Sequence, residues 1–144
     1  MPVAMNNVGI VVEDLTAAIE FFEELGLELE GRAMVAGEWA GRVTGLGDQS
    51  VEIAMMRTPD GHSRLELSRF LAPQVIAAPQ TPVNTLGYLR VMFTVDDIDE
   101  TLTRLGKHGA HLVSSEVVQY ENVYRLCYIR GPEGLLIGLA EELG

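Results

Sequence analysis

Cysteine and lysine are nearly missing from this chain of 144 residues. Its one cysteine, Cys127, excludes an intrachain disulfide and a cysteine-based zinc or iron–sulfur site. Lysine occurs once, at Lys107, so nine of the ten basic residues are arginines, against 21 acidic residues. The formal net charge of −11 repels phosphate groups, and we expect neither nucleic acid nor an anionic membrane surface as a partner.

Long apolar runs are missing as well, and we expect no leader segment. No apolar stretch approaches the roughly 20 residues that span a bilayer, and no basic segment precedes an apolar run near the N-terminus. A single cysteine suits a reducing compartment. We therefore expect a cytoplasmic protein with no membrane partner.

What the sequence does contain is an internal repeat. Residues 8–26 align with residues 91–109, and Asp14 matches Asp97 at the same spacing as the other aligned positions. A second similarity follows in the same order, because residues 57–61 and 130–134 both contain an Arg and a Pro-acidic-Gly turn. Repeats of this kind predict two copies of one structural module.

Each copy begins with the pattern of a strand followed by a helix. Apolar residues alternate in residues 8–12 and 91–95, which is typical of a strand with one buried face. Asp14 and Asp97 stand at N-cap positions, and Glu100 follows Asp97 at the spacing of a capping box. The pattern predicts a helix after each strand.

Glycine and proline mark the ends of these predicted elements. Gly26 and Gly109 stand where a left-handed C-cap residue would end each helix. Pro-acidic-Gly turns predict a hairpin of two further strands in each copy. The sequence thus predicts an α+β protein of two tandem βαβββ modules at residues 1–72 and 87–144, joined by a Pro-containing linker at residues 73–86.

The duplicated strand–acidic–helix opening, the paired turns and the length resemble the vicinal oxygen chelate superfamily. This superfamily includes glyoxalase I, bleomycin-resistance proteins, methylmalonyl-CoA epimerase and extradiol dioxygenases. The resemblance covers nearly the whole chain and implies modules that pair around a shared concave cavity, in a homodimer. It implies no single activity, since this superfamily hosts unrelated reactions and pure binders.

The resemblance also implies positions for a divalent metal. Family members commonly hold it with His, Glu, His and Glu, and these positions fall here on Asn7, Glu66, Arg90 and Gly138. Only Glu66 keeps a ligand type, because an amide is a weak donor, a guanidinium has no lone pair and glycine has no side chain. We expect no metal cofactor, with Arg90 placing a fixed positive charge there instead.

Two interpretations of Glu66 and Arg90 remain open. They form a buried ion pair left by a decayed metal site, or Arg90 binds a carboxylate or an enolate-like oxygen of a ligand. The first is structural and the second is functional. A thermal melt does not separate them, because losing one partner of a buried pair is itself destabilising.

Strand alternation and composition add further candidates for a ligand cavity. The predicted ligand-binding residues are Asn7, Trp39, Arg42, Met55, Ser68, Met92, Tyr120, Tyr124 and Tyr128. Trp39 and Arg42 lie in a glycine-rich segment, which predicts a mobile flap or a packed surface loop. The three tyrosines lie on one face of one extended segment, which predicts an aromatic wall or ordinary packing against a sheet.

The residues favour two function classes. One is a binding protein whose cavity holds a small anionic or antibiotic-like molecule. The alternative is a glyoxalase-like lyase or an epimerase-like enzyme without a metal, in which Glu66 is the general base and Arg90 stabilises an oxyanion. The missing ligands disfavour ring-cleaving dioxygenase activity.

Overall fold

The computed structural model describes residues 2–144, which divide into two compact units. The first unit ends at Ala77 and the second runs from Ala78 to Gly144. Each unit contains a sheet of its own. The division falls inside the predicted linker at residues 73–86.

The first unit contains four strands and two helices among its described residues. In chain order they are β1 (Val8–Val11), α1 (Leu15–Leu25), β2 (Glu28–Gly37), α2 (Glu38–Thr44), β3 (Gln49–Arg57) and β4 (Arg64–Ala72). The strand order is β1-β4-β3-β2; β1 is parallel to β4 and the other pairs are antiparallel. Helix α2 is an element that the βαβββ pattern did not predict.

The second unit repeats this arrangement with a divided strand. Its elements are β5 (Val91–Thr94), α3 (Ile98–Gly106), β6 (His111–Leu112), β7 (Val118–Tyr120), β8 (Tyr124–Arg130), a 3₁₀ turn (Pro132–Gly134) and β9 (Leu136–Glu142). The order is β5-β9-β8-β6, and β7 also pairs with β8. Two short strands therefore occupy the position that β2 has in the first unit.

The two sheets also agree in register. In the first unit Gly9 of β1 is the direct partner of Glu66, and in the second unit Met92 of β5 is the direct partner of Gly138. The parallel pairing of first and last strands is thus the same in both units. The predicted α+β fold of two tandem modules is confirmed.

Both predicted N-caps form. A carboxylate oxygen of Asp14 accepts a hydrogen bond from the backbone N–H of Ala17 at 3.0 Å, and Asp97 accepts one from Glu100 at 3.0 Å. The predicted capping box at Asp97 is wrong in its second half. The Glu100 carboxylate instead accepts from Nε of Arg104 at 2.7 Å, because Arg104 lies one turn further on and offers a charged donor.

The two helices end differently. Gly26 caps α1 as predicted, with φ of +128° and its N–H bonded to the carbonyls of Phe22 and Glu23. Gly109 has a positive φ of +84°, but α3 already ends at Gly106 and its cap is Lys107, so the prediction was wrong there. The reason is that residues 107–109 continue as successive tight turns rather than as helix.

Helices α1 and α3 each cover one face of the sheet in their own unit. In the first unit Phe22 of α1 and Leu67 of β4 are fully buried, and α1 contacts β4. In the second unit Ile98 and Leu105 of α3 are fully buried, as is Leu139 of β9. No helix in the described residues is long and apolar enough to cross a membrane. Side chains on the opposite face of each sheet are the candidates for a site.

Candidate functional site

Four predicted positions lie together on the face of the second sheet that points away from α3. Met92 is the direct partner of Gly138, and Gly138 is the direct partner of Tyr128 on the next strand. Direct partners share one face of a sheet. Arg90 lies two residues before Met92, and alternation gives it the same face.

Arg90 and Tyr128 are in direct contact. A terminal nitrogen of the Arg90 guanidinium donates a hydrogen bond to the Tyr128 hydroxyl. The guanidinium carbon lies 4.8 Å from the centroid of the tyrosine ring, in cation–π geometry. Because this partner is neutral, the positive charge of Arg90 is not cancelled by it.

Gly138 leaves the space that Arg90 needs to reach Tyr128. Strand β9 lies between β5 and β8, so the Arg90 side chain crosses β9. A Cβ atom at Gly138 would lie 3.0 Å from Cγ of Met92 and 3.4 Å from Cδ of Arg90. The Arg90 and Met92 side chains thus fill the space into which a side chain at position 138 would project.

Five of the seven arginines other than Arg90 and Arg130 bind carboxylates. Among the described residues, five arginines form ion pairs with Asp or Glu: Arg32–Glu52, Arg57–Glu28, Arg64–Glu30, Arg104–Glu100 and Arg125–Asp99. Arg90 instead binds the hydroxyl of Tyr128, and Arg130 binds that of Tyr88. Arg90 and Arg130 thus differ from the five paired arginines, because they bind neutral hydroxyl groups although the chain is rich in carboxylates.

The pair of Arg130 and Tyr88 was not predicted from the sequence. Arg130 is only 5% exposed, and its guanidinium carbon lies 5.3 Å from the centroid of the Tyr88 ring. A repeated spacing pointed to it, because Tyr88-Leu89-Arg90 and Tyr128-Ile129-Arg130 are both Tyr-x-Arg. Each tyrosine binds the arginine of the other motif.

The three predicted wall tyrosines do not lie in one extended segment. Tyr120 belongs to β7, whereas Tyr124 and Tyr128 belong to β8, and Tyr120 is the direct partner of Tyr124. A turn that includes Glu121, at φ +50°, separates the two strands. The prediction of a single segment was wrong because the tyrosines keep an even sequence spacing across this short hairpin, so the spacing alone does not reveal the turn. Tyr120 and Tyr124 are exposed.

Glu66 lies on the face of the first sheet that points away from α1. Its direct partners are Gly9 on β1 and Met55 on β3, and Ser68, on the same face, is nearly buried. Among the described residues of the first unit, no hydrogen bond or ion pair engages the Glu66 carboxylate. Glu66 and Arg90 belong to different units, and an ion pair between them stays a prediction.

Asn7 precedes β1 and is engaged locally. Its Nδ2 donates a hydrogen bond to Oδ1 of Asn6 at 2.8 Å. By strand alternation Asn7 shares the face of Gly9 and Glu66. Its place in a ligand site stays a prediction.

Trp39 and Arg42 lie in a helix rather than in a glycine-rich loop or flap. They belong to α2, and Trp39 is 57% exposed. Gly41 lies within this helix and packs closely against Gly47, because a Cβ there would lie 1.3 Å from the carbonyl oxygen of Gly47. Gly45 ends the helix in the left-handed conformation.

The first unit also has an open groove at the start of α1. It has a volume of about 290 Å³ and is lined by Glu13, Asp14, Leu15, Thr16, Glu52 and Arg69. Three of these side chains are acidic, and Glu52 is bound to Arg32 at 2.7 Å. None of the predicted site residues lines it.

The residues at the implied metal positions do not fit a divalent cation in the second unit. There the positions hold Arg90, which is a cation, and Gly138, whose side-chain space is filled by Arg90 and Met92. In the first unit only Glu66 is a strong oxygen ligand. The described residues contain no group of three or more His, Cys, Asp and Glu side chains placed to hold a metal ion.

Comparisons with known proteins show the family of this chain. The family model described as "Glyoxalase/Bleomycin resistance protein/Dioxygenase superfamily" matches residues 6–128. The crystal structure of a glyoxalase family protein from Bacillus cereus is 74% identical, with a TM-score of 0.95, and the match covers 100% of this chain and 97% of that one. The uncharacterized protein YwbC of Bacillus subtilis is 29% identical over 132 residues, 90% of each chain.

More distant structures share the fold. The genomically encoded fosfomycin resistance protein of Listeria monocytogenes has a TM-score of 0.62 at 13% identity, covering 100% of this chain and 95% of that one.

Proposed function

The chain belongs to the glyoxalase/bleomycin resistance protein/dioxygenase superfamily, and on this premise we propose that it is a metal-independent protein that binds a small organic anion through Arg90. Met92 and Tyr128 would contact the apolar part of that molecule. We propose further that it works in the cytoplasm as a homodimer, without nucleic acid. The acidic charge and the single cysteine support this setting.

The observation that carries the proposal is the neutral partner of Arg90. A guanidinium paired with a carboxylate has little charge left for a ligand, whereas one bound to a phenol keeps its full charge. Tyr128 accepts from one terminal nitrogen of Arg90, and a guanidinium carries five N–H donors in a planar fork that matches a carboxylate. Arg90 is exposed, so a ligand would have access to the remaining donors.

Calorimetric titration with two anions and a neutral analogue tests this function. Benzoate and phenylphosphonate should bind the wild type, and benzamide, which has the shape of benzoate without its charge, should bind much more weakly. Arg90→Met should weaken benzoate binding by at least about tenfold, the effect of losing a charged hydrogen bond. Arg104→Met removes an arginine on α3 in the same unit and should change the affinity less than about twofold.

Equal binding of benzoate and benzamide, or equal effects of the two arginine variants, would contradict anion recognition by Arg90. Failure of the wild type to bind either anion would contradict the proposed function itself.

A second candidate function is acid–base catalysis, favoured by the unengaged carboxylate of Glu66. A carboxylate without an ion pair can accept a proton from a carbon beside a carbonyl, and Arg90 would stabilise the oxyanion that forms. Turnover of methylglyoxal hemithioacetal or of acyl-CoA epimers that is lost in Glu66→Gln would support this candidate. If the wild type gives no turnover above background, only the binding function remains.

A further inference from the structure

We infer that Arg130 is a positioning residue, which acts through Tyr88 to hold Arg90 in its binding orientation. The inference rests on the proposed function, because it assigns Arg130 a role in the same site. It starts from the two Tyr-x-Arg motifs, whose side chains form two crossed pairs, Tyr88 with Arg130 and Tyr128 with Arg90.

Arg130 is built as an anchor for the segment that leads to Arg90. Besides the Tyr88 hydroxyl, its guanidinium donates to the carbonyl oxygen of Gly134 at 3.2 Å and to that of Thr81 at 2.7 Å. The Tyr88 hydroxyl in turn donates to the carbonyl oxygen of Gly134 at 3.3 Å. A buried side chain thus ties Tyr88 to strand β8 and to the turn that follows it.

Arg90 needs such an anchor because the sheet does not hold it. The first ladder pair of β5 is Val91 with Ile137, so Arg90 lies outside the strand. Residues 73–90 contain no helix or strand. The fixed points on either side of Arg90 are therefore β5 and the Tyr88 side chain two residues earlier.

The chemistry of the anchor also suits an anion site. Burying a guanidinium is costly unless its donors are satisfied, and here carbonyl and phenol oxygens satisfy them without a carboxylate. A carboxylate in this position would weaken the attraction of Arg90 for an anion. Tyr128 and Arg130 point to the same face of β8, so Arg130 adds a second positive charge to the site.

Nitrogen-15 NMR of the arginine side chains tests this positioning directly. The Nε–H resonance of Arg90, assigned by its loss in Arg90→Met, should carry a ring-current shift from Tyr128. Arg130→Lys keeps the charge but loses the planar fork, so it should move this resonance toward the position of a free arginine and weaken benzoate binding by about tenfold. Arg125→Lys, an arginine on the opposite face of β8, should do neither.

Tyr88→Phe is the second variant, because it keeps the ring under Arg130 and removes only the hydroxyl. It should move the Arg90 resonance in the same direction while circular dichroism shows a folded protein. An unchanged Arg90 resonance in both folded variants would overturn the inference, and Arg130 would then be structural only. If the wild type binds no anion but the resonance moves, the positioning holds and the proposed function fails.

Discussion

Gly138 is the residue on which the course of the Arg90 side chain depends. It lies on β9 between Arg90 and Tyr128, and any side chain there would meet Arg90 and Met92. The cation and the glycine at the two implied metal positions of the second unit therefore depend on each other. The glycine is what allows the cation to cross the strand.

We expect Gly138→Ala to lower the free energy of unfolding by about 1–3 kcal/mol, the usual cost of overpacking. The added methyl group would lie 3.0 Å from Cγ of Met92 and 3.2 Å from its Cβ, both closer than ordinary van der Waals contact. The same variant should weaken benzoate binding, because Arg90 is displaced. Urea unfolding and calorimetric titration measure the two effects.

Gly9→Ala is the matched control for that variant. Gly9 is the equivalent of Met92 in the repeat and lies in β1, and a Cβ there meets no atom within 4 Å. Alanine in a strand is more stable than glycine by roughly 0.5–1 kcal/mol, so this variant should be neutral or stabilising. Equal destabilisation by the two substitutions would contradict the packing role of Gly138.

Cys127 behaves as a buried side chain of the core. It is 5% exposed and pairs with Leu139 on the next strand. Burial raises the pKa of its thiol from 9.0 to about 11. The thiol should therefore stay protonated in the folded protein at neutral pH and be unreactive.

The raised pKa of Cys127 predicts a pH dependence of stability. Between about pH 9 and pH 11 the unfolded thiol loses its proton while the folded thiol keeps it, so the free energy of unfolding falls as the pH rises. The difference in stability between wild type and Cys127→Ala should shrink over this range. Urea unfolding at pH 8 and at pH 10.5 measures it, and a constant difference would count against the raised pKa.

At the scale of elements, α3 is fastened to its sheet by charged contacts at its first turn. Glu141 of β9 accepts a hydrogen bond from the backbone N–H of Ile98 at 2.7 Å. Arg125 of β8 binds Asp99 through two hydrogen bonds and lowers the pKa of that carboxyl. The Glu141 contact and the Asp97 cap satisfy backbone N–H groups that a helix start leaves free, and the Arg125–Asp99 pair links the helix to β8.

We expect Asp97→Ala to lower the free energy of unfolding by about 1 kcal/mol, the usual effect of losing an N-cap. Asp96→Ala is its control, since Asp96 is the exposed neighbour with the same charge and stands outside the cap. Urea unfolding of the two variants gives the comparison. If both lose the same stability, the effect comes from charge and not from the cap.

At the scale of the whole molecule, the mass of the native assembly tests the proposed homodimer, and its metal content tests the proposed independence from a metal. The chain has a mass of 15.7 kDa, and we expect a dimer of twice this mass in native mass spectrometry. Elemental analysis of the same sample should find no stoichiometric zinc, nickel, iron or manganese, because too few of the implied positions carry ligands. One metal per chain would contradict the proposal of a metal-independent protein.

Much of the fold was predictable from the sequence because the relevant interactions are local. Alternation marks β1 and β5, Asp14 and Asp97 mark the helix starts, and the repeat links the two units. Where a second interaction competed, prediction failed. The Glu100 carboxylate binds Arg104 instead of closing the capping box, and Gly41 packs closely against Gly47 within a helix that the glycine-rich sequence did not predict.

The candidate site was predictable only in part. The sequence by itself determined that position 90 carries a cation, that position 138 carries no side chain and that the chain is acidic. Only the tertiary structure decided that Arg90 crosses β9 to a neutral tyrosine and that Arg130 anchors the segment before it. The physical reason is that both contacts join residues about 40 positions apart, and strand pairing, not local sequence, brings such residues together.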